Sequence, residues 1–482
     1  TLFRSQVLIG RMCLDAAGYQ TRRGDIKRVN GKGEIMTFET KGKENNGATY
    51  GRRSDWQDLY SIAKKYYEAL LADPGNAQFH LTDPRGASDK SGRTFNNPYQ
   101  YFFEQMHMDD AIYADESIYE YPMQQGGGND GRPYSFGRPS SGGSKAAYPC
   151  KSYGQGRINP AYFYGIFDPN DMRRDVSITM TGSNGKGVEK LIPFVPNSKA
   201  EGGGLTLNKW DENRQANPWV AAQRKSGING PYMRMSEVYL GYAEVCAALG
   251  DVVTGKQYLK TVRERSFPQG LADTDGFIAS FGNDLVRAII EERGFEYAGE
   301  GDRRWTLIRS GYLPEDIKRI KDMTKAMMDG LATKGYYEFE NGNIISAYIW
   351  TKLVDAKTIY GHRLTAQCPT DKVNDPVLYP GWRGQKDNWE EMGLNYGSST
   401  PATNLAIKGL FEIVSEEEAA SLESQGYAKV NWGIDLVDYR DEYDKYLFWD
   451  YDYVSAPIYL WPFTPNVMAA GGFTNGYGFK QE

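Results

Sequence analysis

Two stretches of the chain set flat aromatic side chains beside planar polar ones. In residues 124–156, QQGGGNDGRPYSFGRPSSGGSKAAYPCKSYGQG, Tyr134, Tyr148 and Tyr153 stand near Asn129, Asp130 and Arg132. In residues 368–400, Trp382 and Trp389 stand near Arg383, Gln385 and Asn388. Sugars present C–H faces that stack on Tyr and Trp, and hydroxyls that Asn, Asp, Arg and Gln hydrogen-bond. Tyr134, Tyr148, Tyr153, Asn129, Arg132, Trp382, Trp389 and Asn388 are therefore the candidate ligand-binding residues. A long loop with aromatics is uncommon unless functional. The alternative is a surface insertion whose tyrosines tuck back onto the scaffold.

Other chemistries find less support. Gly126-x-Gly128-x-x-Gly131 formally matches a dinucleotide fingerprint, but the strand before it and the apolar helix after it are missing. The stretch RGFEYAGEGDRRWTLIRSG, 293–311, packs four arginines and three acids among glycines. A phosphate loop would place glycine before a helix and finish in Lys-Ser or Lys-Thr. This one does neither, and its alternating Glu and Arg read as scaffold ion pairs at helix ends. Glycoside hydrolysis needs two carboxylates across a cleft. Glu291, Glu292, Asp387, Glu390 and Glu391 are available, yet none stands isolated in an apolar strand end. Neither G-x-S-x-G nor H-E-x-x-H is present, so the chain reads as non-catalytic.

The three histidines, His80, His107 and His362, and the four cysteines, Cys13, Cys150, Cys246 and Cys368, are too scattered for a metal site or a disulfide framework. No cofactor is expected. Cys246 lies in an apolar helical run and reads as a packed thiol. A net charge of −6, with Lys and Arg interleaved among acids, argues against nucleic acid. The 35 Tyr and 10 Trp among 482 residues form an aromatic excess that favours a binding surface.

The elements that must carry these residues read as mainly helical. Residues 1–20 and 55–72 are amphipathic, the second with Asp55 as N-cap and Trp56, Leu59, Ile62, Ala63, Tyr66 and Leu70 on one face. Residues 22–54 between them read as a loop. A helix over 99–113 and a strand over 117–123 follow. Residues 168–195 read as a hairpin turning at Asn184-Gly185. The clearest element is 232–265: Met235, Val238, Tyr242, Val245 and Leu249 form a stripe, Gly250 ends the helix, and Tyr258, Leu259 and Val262 begin an antiparallel partner. Small residues at the crossing give this pair the shape of a tetratricopeptide unit. A helix over 283–297, capped by Asn283 or Asp284, comes next. From 312 onward regularity falls, with a hairpin at Asn341-Gly342 and an extended packed tail over 459–479. The organisation expected is helical scaffold over 1–123, a loop-rich ligand region over 124–229, tetratricopeptide-like helices over 230–311, and a loop-rich ligand region with packed tail over 312–482. No apolar run is long enough to span a membrane, and the opening residues have no signal-peptide pattern. They look like the middle of a helix, so upstream sequence is expected.

Several ordered blocks resemble the SusD/RagB family of outer-membrane nutrient-binding lipoproteins. Arg234, Glu237, Leu240, Tyr242, Ala243, Glu244 and Gly250 match the pattern R-x-x-E-x-x-L-x-Y-A-E-A…G. Tyr258–Ser266 matches Y-I-N-x-V-R-x-R-A, with Lys260 where Asn is usual. Glu292-Arg293, Glu296, Glu300-Gly301, Arg303, Leu307, Arg309 and Gly311 match a third block, with Thr306 replacing an Asp. NPYQYFFEQM…ESIYEYP near 97–122, WPFTPNV and Asn475-Gly476-Tyr477 fit further family features. The resemblance implies a mainly α, tetratricopeptide-like scaffold with large loop-rich insertions and a few short β-hairpins. It implies cell-surface capture of a glycan, or of peptides in some relatives, and delivery to a SusC-like TonB-dependent transporter. It also implies an N-terminal lipid anchor outside this chain. The family's binding residues lie in variable loops and do not carry over.

Overall fold

The computed structural model describes residues 2–23, 26–44, 46–84, 97–107, 114–124, 126–127, 131–140, 151–183, 189–196, 203–211, 224–355, 403–444, 458–477 and 479. The first helices are α1 (Leu2–Ala17), α2 (Trp56–Ala72), α3 (Pro98–Gln105), α4 (Gly131–Phe136) and α5 (Arg173–Ser177). They are followed by α6 (Met235–Ala248), α7 (Val252–Ser266), α8 (Thr274–Ala279), α9 (Leu285–Glu296), α10 (Arg303–Ser310) and α11 (Leu313–Lys334). The fold is mainly α, built on tetratricopeptide-like helix pairs with short strands between them. α1 packs on α2, α6 on α7, and α2 crosses to α6.

Tyr67 explains how the first pair meets the second. Its ring is fully buried, and a Cβ added at Gly10 of α1 would lie 2.5 Å from it, at Gly241 of α6 2.8 Å. One tyrosine of α2 thus occupies the space that two glycines vacate, and any side chain at either glycine would push the helices apart. The stripe Met235, Val238, Tyr242 and Val245 is buried against the same cluster. Gly250 takes φ +93° and ends α6, and Asp251 then caps α7 by accepting from the Thr254 amide at 3.2 Å. At α9 the cap is Asp284, which accepts from the Arg287 amide at 3.0 Å.

Several expectations are corrected. Residues 22–54 hold the strands Phe38–Lys43 and Thr49–Arg53, which with Gln20–Arg22 form a three-stranded antiparallel sheet. Its Lys- and Gly-rich sequence hid the anchor: Tyr50 is buried, stacks on Tyr459 and donates to the Ile308 carbonyl. Asp55 does not cap α2, because its carboxylate is held by Arg53 at 2.8 and 2.7 Å. The buried face of α2 is Tyr60, Ala63, Tyr67 and Leu70, while Ile62 is exposed. α3 ends at Gln105, and 108–113 lie outside the described residues. α4 lies where a loop is read, and α5 replaces much of the first strand of the 168–195 hairpin. The hairpin itself is Thr181–Ser183 with Glu189–Leu191, and its turn lies outside the described residues.

The largest correction is α11, 22 residues in a region that reads as irregular. Its start and stop signals were present: Pro314 in the first turn with Glu315 and Asp316, and Gly335 at φ +77° after the last turn. Leu313, Thr324, Met327, Met328 and Leu331 are its buried residues. Met327, Met328 and Leu331 pack in a second core with Phe163, Tyr164, Phe295, Phe339 and Trp432, while Leu313 packs with Tyr50, Leu307 and Ile308. The hairpin at Asn341-Gly342 pairs Tyr336–Glu338 with Ile344–Ser346. Tyr348–Asp355 is the centre of a three-stranded sheet with Thr403–Lys408 and Ala428–Asn431. The tail contains a helix, Pro465–Gly471, and leaves Trp461, Phe463 and Phe473 exposed, so it is neither wholly extended nor wholly packed.

Candidate ligand surface

The motif at 293–311 lies at the centre of a buried ionic cluster. Arg234, at the end of strand Gly230–Arg234, donates to Glu116 at 3.1 Å, Glu296 at 2.5 Å and Glu300 at 2.9 Å. Arg265 of α7 donates to Glu116 at 2.5 Å and also to Glu296. Arg173 pairs with Asp171 at 2.7 Å, Glu292 at 2.7 Å and Glu296 at 3.0 Å. Burial alone would raise the Glu296 carboxyl, but Arg265, Arg234 and Arg173 hold it well below the usual carboxylate range. Burial pushes Lys209 down to about 8, even though Glu300 lies 2.7 Å away. The reading of this stretch as scaffold stands, with one change. Most partners are far apart in the chain, so the pairs tie helices and strands together instead of decorating single helix ends.

The same arithmetic applies to the carboxylates considered for catalysis. Glu291 is buried, which would raise its pKa, yet Arg303, Arg319 and Arg287 hold it well below the ordinary value. It cannot donate a proton near neutrality. Glu292 is fully buried between Arg173 and Arg263. A cleft of about 1010 Å³ lies over these residues, but its Arg263, Arg287 and Arg319 are already paired with Glu292 and Glu291. Asp387, Glu390 and Glu391 lie outside the described residues.

The aromatic groups take a different course. Tyr134 on α4 and Tyr153 meet edge to face, with centroids 5.1 Å apart and planes at 87°. The backbone fixes them: the Tyr153 amide donates to the Tyr134 carbonyl at 2.8 Å, and Ser152 Oγ donates to the Pro133 carbonyl at 2.8 Å. Arg224 lies 4.3 Å from the Tyr134 ring centre and Lys151 4.9 Å from that of Tyr153. The hydrogen bond from Tyr153, with Arg224 nearby, holds the Tyr134 phenol below its ordinary pKa, and the same bond raises that of Tyr153.

Arg132, also on α4, turns to a second aromatic group. Its guanidinium lies 5.9 Å from the Tyr121 ring and 5.7 Å from that of Trp210. It passes directly over Gly230, where an added Cβ would overlap Nη1. Tyr121 and Tyr232, on the paired strands Ser117–Tyr121 and Gly230–Arg234, meet edge to face at 5.6 Å and are 49% and 42% exposed. Of the sequence-predicted residues, Tyr134 and Tyr153 are brought into direct contact, while Arg132, on the same helix as Tyr134, turns to Tyr121, Trp210 and Gly230. Asn129, Tyr148, Trp382, Trp389 and Asn388 lie outside the described residues. Tyr121 and Tyr232 were missed. The alternation of Ile118, Tyr119, Glu120 and Tyr121 was the available signal for Tyr121, since Ile118 and Glu120 are buried. Cys246 is buried as a packed thiol, and burial pushes its pKa up to about 11.

The chain is similar to several solved structures. A SusD homolog from Bacteroides thetaiotaomicron VPI-5482 shares 16% identity, with 67% of this chain and 56% of that chain covered, at a TM-score of 0.42. Surface glycan-binding protein A from Bacteroides thetaiotaomicron shares 18% identity over 54% of this chain and 52% of that one, at 0.39. A SusD superfamily protein from Bacteroides fragilis NCTC 9343 shares 17% over 64% and 53%, at 0.36. The chain spans just over half the length of these solved structures. No curated protein matches it. A model of the SusD family matches residues 77–462, most of the sequence, and the chain belongs to the SusD family.

Proposed function

We propose that the chain is a non-catalytic glycan-capturing protein whose ligand stacks on the Tyr134–Tyr153 surface. The observation that carries this reading is the pair of preformed, partly exposed aromatic sets, Tyr134 against Tyr153 and Tyr121 against Tyr232, with Arg132 of the Tyr134 helix lying by Tyr121. Rings whose planes are set by backbone hydrogen bonds and neighbouring cations lose little freedom when a sugar arrives, and this lowers the cost of binding. Trp382, Trp389, Asn388, Asn129 and Tyr148 remain part of the proposed ligand set. Family membership supports the next step, hand-over of the glycan at the cell surface to a SusC-like TonB-dependent transporter of the outer membrane. It also supports attachment there through a lipid. No helix among the described residues is long and apolar enough to cross a membrane.

The test is affinity electrophoresis through gels containing starch, laminarin, xyloglucan or galactomannan, with peptide-digest titration by calorimetry alongside. Retardation by one polysaccharide, reduced in Tyr134→Ala and Tyr153→Ala, supports glycan capture. Heat released by peptides without any retardation replaces it with peptide uptake.

A further inference from the structure

A second aromatic cleft lies away from Tyr134 and Tyr153. It measures about 560 Å³ and opens between α10 and the tail 458–477. Trp305, Trp461 and Phe463 line it and are 60%, 63% and 58% exposed. Three large rings left in water at one cleft mark a recognition surface, since scattered single exposures need no explanation but clustered ones do. The cleft also has rigid walls. Tyr459 stacks on buried Tyr50 at 3.8 Å with planes 2° apart. Asn475 holds the Phe463 backbone at both its amide and its carbonyl, at 2.8 and 3.0 Å. Arg304 donates to the Ile458 carbonyl at 2.7 Å and lies 5.1 Å from the Trp461 ring.

Its polar groups narrow the ligand. Asp15 lines the cleft with an exposed carboxylate. Arg309 beside it is buried and committed to Glu244, with one contact at 2.8 Å and a shorter second one. Arg309 also lies 3.7 Å from Asp15, so the two charged groups of the lining are paired with each other, which favours a neutral ligand over uronic or sulfated sugars. Trp305, Asp15 and Arg309 also line a smaller cleft of about 440 Å³, whose far wall includes Tyr232. Tyr232 pairs with Tyr121, so this smaller cleft leads from Trp305 toward the Tyr121–Tyr232 pair.

We infer that the Trp305–Trp461 cleft is a second subsite for a neutral glycan, so that one polysaccharide chain engages both aromatic surfaces at once. This rests on the glycan-capture reading and adds to it a chain length and a charge class. Linking two subsites raises the apparent affinity for a long polymer well above that for a short oligosaccharide.

The test uses the full chain with starch, laminarin, xyloglucan and galactomannan in affinity gels, and sedimentation velocity on each variant. Trp461→Ala, Trp305→Ala and a Tyr134→Ala/Tyr153→Ala double variant are compared, with Trp461→Phe as the conservative control and thermal melts to confirm folding. The expected result is that each tryptophan variant weakens retardation by the bound polysaccharide about tenfold, the scale of one lost aromatic contact. Trp461→Phe should retain most of it, and the tyrosine pair should weaken it independently. Unchanged retardation in both tryptophan variants, with loss in the tyrosine pair, overturns the second subsite and leaves the capture reading in place. Loss in the tryptophan variants alone keeps the cleft and removes the first surface. A change in sedimentation without any change in retardation overturns the subsite in favour of a protein-docking face. No retardation by any polysaccharide overturns both.

Discussion

The ionic cluster around Glu296 and the aromatic surface around Tyr134 place their side chains opposite to the usual partition. Arg173, Arg234, Arg265, Glu116, Glu292 and Glu296 are all buried, whereas Tyr121, Tyr232, Trp305 and Trp461 stand in water. The charges can be inside because each guanidinium meets several carboxylates and the network closes on itself. Removing any one member would leave buried charges short of a partner. The rings outside have no such mutual demand. Their exposed area contributes nothing to folding, which is why it is available for a ligand. One region is built so that it cannot change, and the other so that it can be occupied.

The sharpest way to break this contrast is Glu296→Gln. It removes the charge shared by Arg173, Arg234 and Arg265 and should lower stability by about 3–5 kcal/mol, read by denaturant unfolding. A loss under about 1 kcal/mol would show that the cluster is solvated and not structural. Gly241→Ala should come next. The added methyl meets the Tyr67 ring, and a cost of about 1–3 kcal/mol is expected in thermal or denaturant melts. Tyr134 is half-buried, and Tyr134→Ala should lower stability by no more than about 1 kcal/mol, the scale of its edge-to-face contact with Tyr153. It should still weaken glycan retardation about tenfold, corresponding to about 1.4 kcal/mol. Equal losses of stability and retardation would make it scaffold.

The smallest effect concerns pH. Burial pushes the Glu44 carboxyl up to about 7 from 4.5, although the Asn46 side chain partly offsets this. Folding therefore disfavours its ionised form. The favourable contribution is complete below about pH 4.5 and is lost as pH rises through about 7. Glu44→Gln should flatten that part of the stability–pH profile, measured by chemical denaturation between pH 4.5 and 8. An unchanged slope would mean that Glu44 is ionised in the folded protein. Thr21 donates to Glu44 and also lines the Trp305–Trp461 cleft, so the same variant tests how firmly that wall is held.

Local pattern determined a good part of this protein. The stripe of α6, the stop at Gly250, the cap at Asp284 and the turn at Gly342 each depend on residues close in sequence, so spacing and turn chemistry were enough. The three ordered motif blocks determined the family. Spacing alone did not resolve α11, whose caps were legible but whose narrow buried face acquires meaning only against Phe163 and Phe339. Nor could it show that Asp55 would turn to Arg53, or that Tyr50 would reach Ile308 and stack on Tyr459, more than 250 residues away. Composition singled out Tyr134, Tyr153 and Arg132 but had no way to add Tyr121 and Tyr232 to them. Whether an aromatic ring is core or surface depends on what the tertiary fold lays over it. A helix or turn is fixed by near neighbours, whereas a binding surface is fixed by what remains uncovered after distant segments have packed.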